Sequence, residues 1–229
     1  LVTSSTVVRA IAYKEGFVPT NVDAQSYLFT GDIINQTEMN PAVTDSFTYR
    51  DEIEGALKAL PVVSLSFEED TVLGPNGIYE NPNLKGRSSE REIHFEYFDP
   101  SNPGDSVHEP AGMRIHGGNS REHPKKPLRI YFRDDYGNSR LEHDLFPNSR
   151  VRSFKTILLR GGGHDAWTFD SRWDEATFIR NQFLHQLQRD MGQTSPHGRH
   201  VNVFLNGEYW GLYGLQEFPH EHYNADHHG

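Results

Sequence analysis

The alternation of apolar and polar residues predicts a chain rich in β-strands. Residues 6–29 contain two short alternating runs around a glycine-containing turn, which indicates a β-hairpin. The run LPVVSLSF (60–67) is typical of a buried strand, and REIHFEYF (91–98) alternates strictly, as a half-buried strand does. Asn206-Gly207 lies between two apolar runs and predicts a second hairpin. The other strand signals are GMRIHG, PLRIYF, FKTILLR, HVNVFLNG and EYWGLYGLQEF.

One long helix is predicted at WDEATFIRNQFLHQLQRDMG (173–192). Its apolar residues recur at steps of three and four, Asp174 and Glu175 lie near its positive end, and Gly192 can end it. A short helix is expected at 49–59. These elements predict an α+β fold, in which an antiparallel sheet carries one long helix packed on it.

The composition limits the classes of function. The chain has 229 residues, 35% of them hydrophobic, and a formal net charge of -10. An acidic total argues against broad nucleic-acid binding. The chain has no cysteine, which excludes disulfides and thiolate chemistry. No apolar run approaches the roughly 18 to 20 residues that a membrane-spanning helix needs.

Against this acidic background, residues 111–137 hold a basic cluster around a Gly117-Gly118 turn. Asn119 and Ser120 follow the two glycines and supply short polar groups. Such a turn can surround a phosphate with amide N–H and ammonium groups. The alternative is a solvated hairpin with surface lysines. The basic residues of the cluster are Arg114, His116, Arg121, Lys125, Lys126 and Arg129.

A second cluster lies in LLRGGGHDAWTFDSRWDEATFIRN (158–181). A strand, a glycine-rich loop and a helix N-terminus in this order are common at anion sites, although the pattern matches neither the P-loop nor the dinucleotide fingerprint. A flexible connection before a capped helix is the alternative. The charged residues and the histidine are His164, Asp165, Arg172, Asp174, Glu175 and Arg180.

The tail HEHYNADHH (220–228) is rich in histidine. Its four histidines, together with Glu217, Glu221 and Asp226, could ligate zinc. The spacing fits no zinc template, however, because a His-Glu-x-x-His motif would need histidine where Asn224 stands. We therefore expect a solvated polar segment here and no metal site in the chain.

The ordered motifs from residue 60 onward resemble those of the CotH kinase family, the spore-coat-type atypical kinases. The matching pieces are LPVVSLSF with GIYENP, MRIHGGNSR, PKKPLRIYF followed by DLFP, FKTILLRGGGHD, TFIRNQFLHQL and VFLNGEYWGLYGLQE. Residues 6–29 are similar to the last strands of a chitobiase/β-hexosaminidase C-terminal β-sandwich module.

This resemblance implies that the chain consists of three parts. Residues 1–30 would be the terminal strands of an incomplete β-sandwich module, and residues 31–59 a linker with a short helix. Residues 60–229 would be the N-terminal lobe and hinge of a kinase-like fold. The resemblance also implies a C-terminal lobe of the same protein beyond residue 229, which would supply the catalytic and magnesium-binding aspartates. We therefore expect no catalytic residue in this chain, and we expect the chain to be inactive alone.

The resemblance assigns roles to the basic cluster. The Gly-Gly-Asn-Ser-Arg turn would cover the nucleotide, and Lys125 or Lys126 would bind its phosphates, with Lys126 preferred. Glu175 or Asp174 could pair with that lysine, and backbone groups near the end of GLYGLQEF could meet the adenine. The implied nucleotide-binding residues are Lys126, Lys125, Arg114, Gly117, Gly118, Asn119, Ser120, Arg121, Glu175, Arg180, Gln216, Glu217 and Phe218.

The implied activity is ATP- and Mg²⁺-dependent phosphorylation of serine or threonine on exported or surface proteins, coat-type proteins among them. The partners would be ATP, a protein substrate and the C-terminal lobe, without nucleic acid or a membrane span. A bacterial cell-surface or exported location is the corresponding expectation. The alternative is a noncatalytic, pseudokinase-like surface or carbohydrate-associated module for binding or assembly.

Overall fold

The computed structural model of the chain describes residues 1–167 and 174–228. The fold class is mixed α+β, with seven strands in one largely antiparallel sheet, two small two-stranded ladders and short helices. The strands are β1 (Thr6–Ala10), β2 (Asp23–Tyr27), β3 (Val62–Ser66), β4 (Arg91–Asp99), β5 (Asn102–Ile115), β6 (Leu128–Tyr131), β7 (Leu141–Glu142), β8 (Ser153–Phe154), β9 (Thr156–Arg160), β10 (Gly198–Leu205) and β11 (Glu208–Glu217).

The helices are each shorter than four turns among the described residues. They are α1 (Thr30–Ile34), α2 (Pro41–Thr44), α3 (Ile53–Lys58), α4 (Glu69–Val72), α5 (Arg180–Asp190) and α6 (Glu221–His228). Single 3₁₀ turns occur at Arg50–Glu52, Arg87–Ser89, Asn119–Arg121 and Gly163–Asp165. In residues 1–167 and 174–228 no helix combines the length and hydropathy required to cross a lipid bilayer.

The chain forms two compact units. The first contains Leu1–Phe67, Ile93–Pro110 and Val201–Leu212. The second contains Glu68–Glu92, Ala111–His200 and Tyr213–Gly229. Both units are discontinuous in sequence, because β4, β5, β10 and β11 each contribute residues to both. The predicted boundaries at residues 30 and 59 stay a prediction.

The first unit contains the predicted N-terminal hairpin. β1 and β2 pair antiparallel with Thr6 opposite Tyr27, so this prediction is confirmed. β3 pairs in parallel with β10 and antiparallel with β4. The short helix expected at 49–59 is present as a 3₁₀ turn followed by α3. The core beside these strands contains Ile33, Ile53, Leu57, Val62 and Phe204.

A buried carboxylate joins β2 and β4 within the first unit. Glu96 accepts hydrogen bonds from the backbone N–H of Ser26 and the side chain of Gln25, both at 3.0 Å, and from the Ser26 hydroxyl. Burial raises the pKa of Glu96 above its ordinary value, although the bonds from Ser26 act in the opposite direction. The folded chain therefore holds a proton at Glu96 more tightly than the unfolded chain does.

We expect Glu96→Gln to flatten the pH dependence of stability. With a raised folded pKa, the contribution of Glu96 to the free energy of unfolding is smallest at neutral pH and grows as the pH falls through the folded pKa. Glutamine cannot titrate, so the variant loses this gain. Urea unfolding at a series of pH values, from neutral down to the ordinary pKa of glutamate at about 4.3, measures the difference. The exposed Glu38→Gln is the control, and equal slopes in all three proteins would contradict the prediction.

Four neighbouring strand segments of the second unit, from β5, β6, β9 and β11, pair antiparallel and have two chemically different faces. Met113, Ile130 and Ile157 are opposite one another across β5, β6 and β9, and all three are fully buried. Because side chains alternate along a strand, the residues next to these three in each strand point to the other face. That other face carries the polar residues from which the candidate site is built. The Asn206-Gly207 hairpin joins β10 and β11 in the first unit, with φ of 50° and 88°, as a turn with two left-handed residues requires.

The prediction of a long helix at 173–192 is wrong in its length. The helix α5 begins only at Arg180 and ends at Asp190, where Gly192 follows with φ of 78°. Phe178 has φ of 60°, a left-handed conformation that a right-handed helix cannot include. Asp165 accepts hydrogen bonds from the N–H groups of Thr177 and Arg180, at 2.7 and 3.0 Å. A carboxylate from a distant loop therefore sets the helix start.

The expected packing of α5 is also wrong. Its apolar residues Phe183 and Leu184 are 62% and 56% exposed. Its polar residues make the contacts instead: Asn181 donates to Gln216 at 3.0 Å, and His185 bonds to Ser195 at 2.7 Å. The apolar periodicity correctly predicted a helix, but the partner face of the sheet is polar, so the helix turns its polar side to it.

Candidate functional site

A row of residues across the second unit forms a basic sheet face. Arg114 in β5 is opposite Arg129 in β6, and Leu158 in β9 and Gln216 in β11 continue the row. Paired residues of antiparallel strands share a face. By the same alternation, Arg160 in β9 and His116, which directly follows β5, lie on this face, two residues beyond Leu158 and Arg114. We call Arg114, His116, Arg129, Arg160 and Gln216 the basic face.

Aromatic rings hold the guanidinium groups of this face in place. The Arg129 guanidinium lies 3.7 Å from the ring centre of Phe218 and 4.8 Å from that of Tyr131. Arg114 and Arg133 lie over the same Tyr131 ring, at 4.1 and 4.8 Å. Stacking on a ring restrains the guanidinium plane and leaves its N–H edge available for an anion.

One buried carboxylate balances part of this charge. The side chain of Glu90 is 1% exposed and lies 2.9 Å from Arg133 and 3.5 Å from Arg114. It also pairs with Arg87 and accepts a hydrogen bond from Tyr136 at 3.1 Å. Burial and this carboxylate together raise the pKa of Tyr136 to about 12. Three arginines therefore share one carboxylate at this edge of the basic face.

A cavity of about 630 Å³ opens beside Arg114 and Arg129. Cavities of about 300–1,000 Å³ are the usual size for small-molecule sites. Four of its lining side chains are cationic, and three are carboxylates. The charged and histidine residues of the wall are Arg114, Arg129, Arg133, Lys155, Asp134, Asp135, Glu221, His220 and His222.

The electrostatics of the basic face favour an anion. Burial lowers the pKa of His116 to about 4, and the charges of Arg129, Arg121, Arg160 and Arg114 act in the same direction. The imidazole is therefore neutral at pH 7. Burial likewise lowers the pKa of Arg129 and of Arg160. A negatively charged ligand would relieve the mutual repulsion of these cations.

The predicted glycine turn is held rigidly. Gly117 has φ of 105°, and a Cβ there would lie 2.2 Å from the hydroxyl of Ser120, so glycine is required. Arg121 is buried and donates to the carbonyl of Gly117 at 2.6 Å and to those of Pro82 and Leu84. Gly118 has open space around it, and Asn119 lies 3.4 Å from His123. One arginine of the sequence cluster thus serves the loop itself.

The two lysines have different surroundings. Lys126 is buried and donates to the carbonyls of Arg121 and His123, at 3.0 and 3.2 Å. Lys125 is partly buried, with its ammonium 4.7 Å from the Tyr213 ring centre and 5.3 Å from that of Phe178. Burial lowers the pKa of Lys125 to about 8. Both lysines precede β6 rather than lying in it.

The second sequence cluster is only partly gathered here. Asp165 accepts hydrogen bonds from the N–H groups of Thr177 and Arg180, and the Arg180 side chain donates to the carbonyl of Glu175. Arg172 lies outside the described residues. Asp174 and Glu175 precede α5, so the expected ion pair between one of them and a lysine stays a prediction. The link to the basic face is the hydrogen bond from Asn181 to Gln216.

The end of β11 reaches the same region. Gln216 belongs to the basic face, and Phe218 stacks on Arg129 and lies 5.0 Å from His116 between ring centres. The N–H of Glu217 donates to the carbonyl of His197 at 3.0 Å, so this backbone group is already used. Residues 220–228, expected to be a solvated segment, contain the helix α6, in which Tyr223 is buried.

The sequence analysis missed several residues of this site. It did not propose Tyr131, Arg133, Arg160 or Glu90. Alternation in PLRIYF and FKTILLR placed Arg129 and Arg160 off the apolar face, and this was a usable signal. No sequence signal indicated Glu90, because its role depends on arginines 24 and 43 residues further along the chain.

Comparison with known families settles the class of the chain. A family model described as CotH kinase protein matches residues 113–229, just over half of the chain. The chain belongs to the CotH kinase family. The matched CotH region contains the glycine turn, both lysines, α5 and the basic face. No curated protein matches the chain.

Membership of the CotH kinase family implies an atypical kinase, and therefore a nucleotide and a substrate. The matched region begins at Met113, whereas the resemblance described above begins at residue 60. The β-sandwich origin of residues 1–30 and the likeness to a kinase N-terminal lobe stay predictions.

Proposed function

We propose that this CotH-family chain supplies the ATP-binding part of an atypical protein kinase that phosphorylates serine or threonine on exported or surface proteins. The observation that carries the proposal is the opposed pair Arg114 and Arg129, stacked on aromatic rings beside a cavity of about 630 Å³. Phosphoryl transfer depends mainly on positioning and on neutralising phosphate charge.

The basic face suits a nucleotide phosphate chain. Arg114 and Arg129 can each offer a planar pair of N–H donors to phosphate oxygens. The aromatic rings restrain both guanidinium groups before a ligand binds, so little side-chain entropy is lost on binding. Phe218, at the end of β11, lies against Arg129 and offers an aromatic edge for the adenine.

Lys125 is the second candidate for a phosphate contact. The ammonium of Lys126 already meets two backbone carbonyls, which supports Lys125 over the sequence-based preference for Lys126. A lysine whose pKa is about 8 is mostly deprotonated above that pH. Phosphate binding by Lys125 would therefore weaken as the pH rises, whereas binding by arginine would not.

The chemistry of the phosphate transfer requires more than this site. Mg²⁺ prefers carboxylate oxygens and supplies charge neutralisation between phosphates when bound. Asp134 and Asp135 line the cavity and are the carboxylates of its wall closest in sequence to the basic strands. The aspartates that orient the acceptor hydroxyl are still predicted to lie in the C-terminal lobe.

The test is calorimetric titration of ATP into the full 229-residue chain, with and without Mg²⁺, at about 50 mM salt so that screening is weak. We expect Arg129→Gln to raise the Kd for ATP at least tenfold, or about 1.4 kcal/mol, because a charge-assisted bidentate contact is lost. Adenosine, which has no phosphate, should bind both proteins equally.

Arg150→Gln, at an exposed arginine away from the cavity wall, is the matched control and should bind ATP as the wild type does. If Arg129→Gln binds normally while Lys125→Met and a pH above about 8 weaken binding, the arginine assignment is wrong. If the wild-type chain binds no nucleotide but binds a polysaccharide, the nucleotide function is wrong and the noncatalytic module replaces it.

A further inference from the structure

A carboxylate lies on the apolar face of the second unit, at the end of β11. Glu217 is opposite Ile157 in β9 and therefore shares the face of Ile130 and Met113. Its side chain is only 2% exposed. An ionised carboxylate in such a place requires cationic or hydrogen-bonding partners, because its desolvation is costly.

Two histidines approach this carboxylate from different elements. Nδ1 of His197, just before β10, lies 3.0 Å from Oε2 of Glu217. Nε2 of His227, in α6, lies 3.1 Å from Oε1 of the same carboxylate. The two imidazole rings are parallel within 4°, with centres 5.8 Å apart. Each carboxylate oxygen therefore faces one imidazole nitrogen.

We propose that His197, Glu217 and His227 form a binding site for one divalent transition-metal ion of the zinc class. One donor atom from each residue lies within 4.8 Å of the other two. Ligands about 2.0–2.2 Å from a tetrahedral zinc ion are roughly 3.3 Å or slightly more apart, so small side-chain rotations bring all three into range.

The donor set favours zinc over magnesium or calcium. Two imidazoles and one carboxylate are ligands of zinc, whereas Mg²⁺ and Ca²⁺ take oxygen ligands almost exclusively. With three protein ligands, a fourth position remains for water. The site is therefore separate in chemistry from the Mg²⁺ that a kinase uses.

Backbone hydrogen bonds and the helix α6 position the three residues close together. The N–H of His197 donates to Oε2 of Glu217 at 2.7 Å, and the N–H of Glu217 donates to the carbonyl of His197 at 3.0 Å. These bonds fix two ligands relative to each other. The helix α6 brings the third, and Arg140 holds this helix through Asp226 at 2.8 Å.

A plain hydrogen-bonded cluster is the competing explanation, since each imidazole can donate to the carboxylate without a metal. The two explanations differ in what a conservative substitution does. Asparagine can place an amide N–H near Nδ1 of His197, and glutamine can place one near Nε2 of His227. Neither amide is a good zinc ligand, because zinc sites use imidazole, thiolate and carboxylate donors.

The experiment uses the full chain, expressed without a polyhistidine tag and dialysed against ZnCl₂ or MgCl₂. We expect one bound zinc per chain by elemental analysis. Zinc at about a hundredfold excess over its Kd should raise the Tm by roughly 5 °C or more, and EDTA should reverse the rise. MgCl₂ should change neither quantity.

The double variant His197→Asn, His227→Gln should lose the bound zinc and the zinc-dependent rise in Tm, while its metal-free Tm stays close to that of the wild type. The control His228→Gln changes an exposed histidine next to His227 and should keep both. Zinc retained by the double variant, or a wild-type chain that binds less than half an equivalent, would overturn the site. ATP binding is independent of these outcomes.

Discussion

Glu90→Ala is expected to lower the free energy of unfolding of the second unit by about 3 kcal/mol, because one partner of a buried charge network is removed and the other charges remain. Arg114, Arg133 and Arg87 would lose their shared carboxylate, and Tyr136 would lose its acceptor. Arg87 and Arg133 are partly exposed and can be hydrated, so the loss falls at the lower end of the range for buried pairs. Urea unfolding measures it.

The matched control is Glu92→Ala, two residues further on and exposed in β4. It should change the free energy of unfolding by no more than about 0.5 kcal/mol. A Glu90→Ala variant as stable as Glu92→Ala would mean that the arginines do not depend on this carboxylate. A secondary result is expected in the same variant: with less negative charge beside Arg114, an anion should bind the basic face more tightly, provided that the fold persists.

Arg121→Met is expected to destabilise the chain by about 2–3 kcal/mol and to weaken ATP binding. The buried guanidinium bonds to the carbonyls of Gly117, Pro82 and Leu84, and a hydrogen bond to a charged group contributes about 1.5–3 kcal/mol. Methionine keeps the aliphatic volume but leaves these carbonyls without the donor. The loop that contains Lys125 and Lys126 would therefore lose one of its anchors.

Urea unfolding and ATP titration of the same preparation separate the two effects. Arg150→Met serves as the control, because it makes the same chemical change at an exposed position. If Arg121→Met lowers stability but binds ATP with unchanged Kd, the turn does not cover the nucleotide. Unchanged stability would show that the three carbonyls are hydrated without cost.

The helix α5 shows where periodicity reaches its limit. Apolar residues at three- and four-residue steps correctly indicated a helix, and Gly192 correctly indicated its end. The start was wrong because Asp165 binds the N–H groups of Thr177 and Arg180, and Phe178 adopts positive φ. That contact joins residues twelve to fifteen positions apart, which no local pattern contains.

The basic cluster shows a second limit. The sequence placed Arg114, Arg121, Lys126 and Arg129 in one short stretch, and all four make specific contacts in the folded chain. Their roles differ, however. Arg121 and Lys126 bond to backbone carbonyls, whereas Arg114 and Arg129 stack on rings beside the cavity. Only the direction of each side chain separates these roles.

The histidine-rich tail shows a third limit. Spacing within residues 220–228 matched no metal motif, and the segment was expected to be solvated. The proposed zinc ligands come from three elements, with His197 and Glu217 brought together by strand pairing and His227 added by α6. A search for local spacing cannot find ligands separated by 20 and 10 residues.

By itself, the sequence indicated the seven strands of the large sheet, although not the full length of β5 or the short strands β7 and β8. It also determined the N-terminal hairpin, the Asn206-Gly207 turn and the resemblance to the CotH kinase family, because each depends on residues close together in the chain. The tertiary structure alone decided which side of α5 faces the sheet and which arginines share Glu90. It also decided that Glu217 meets two histidines. Each of these depends on contacts between distant residues, and burial fixes their charges and partners only after the chain has folded.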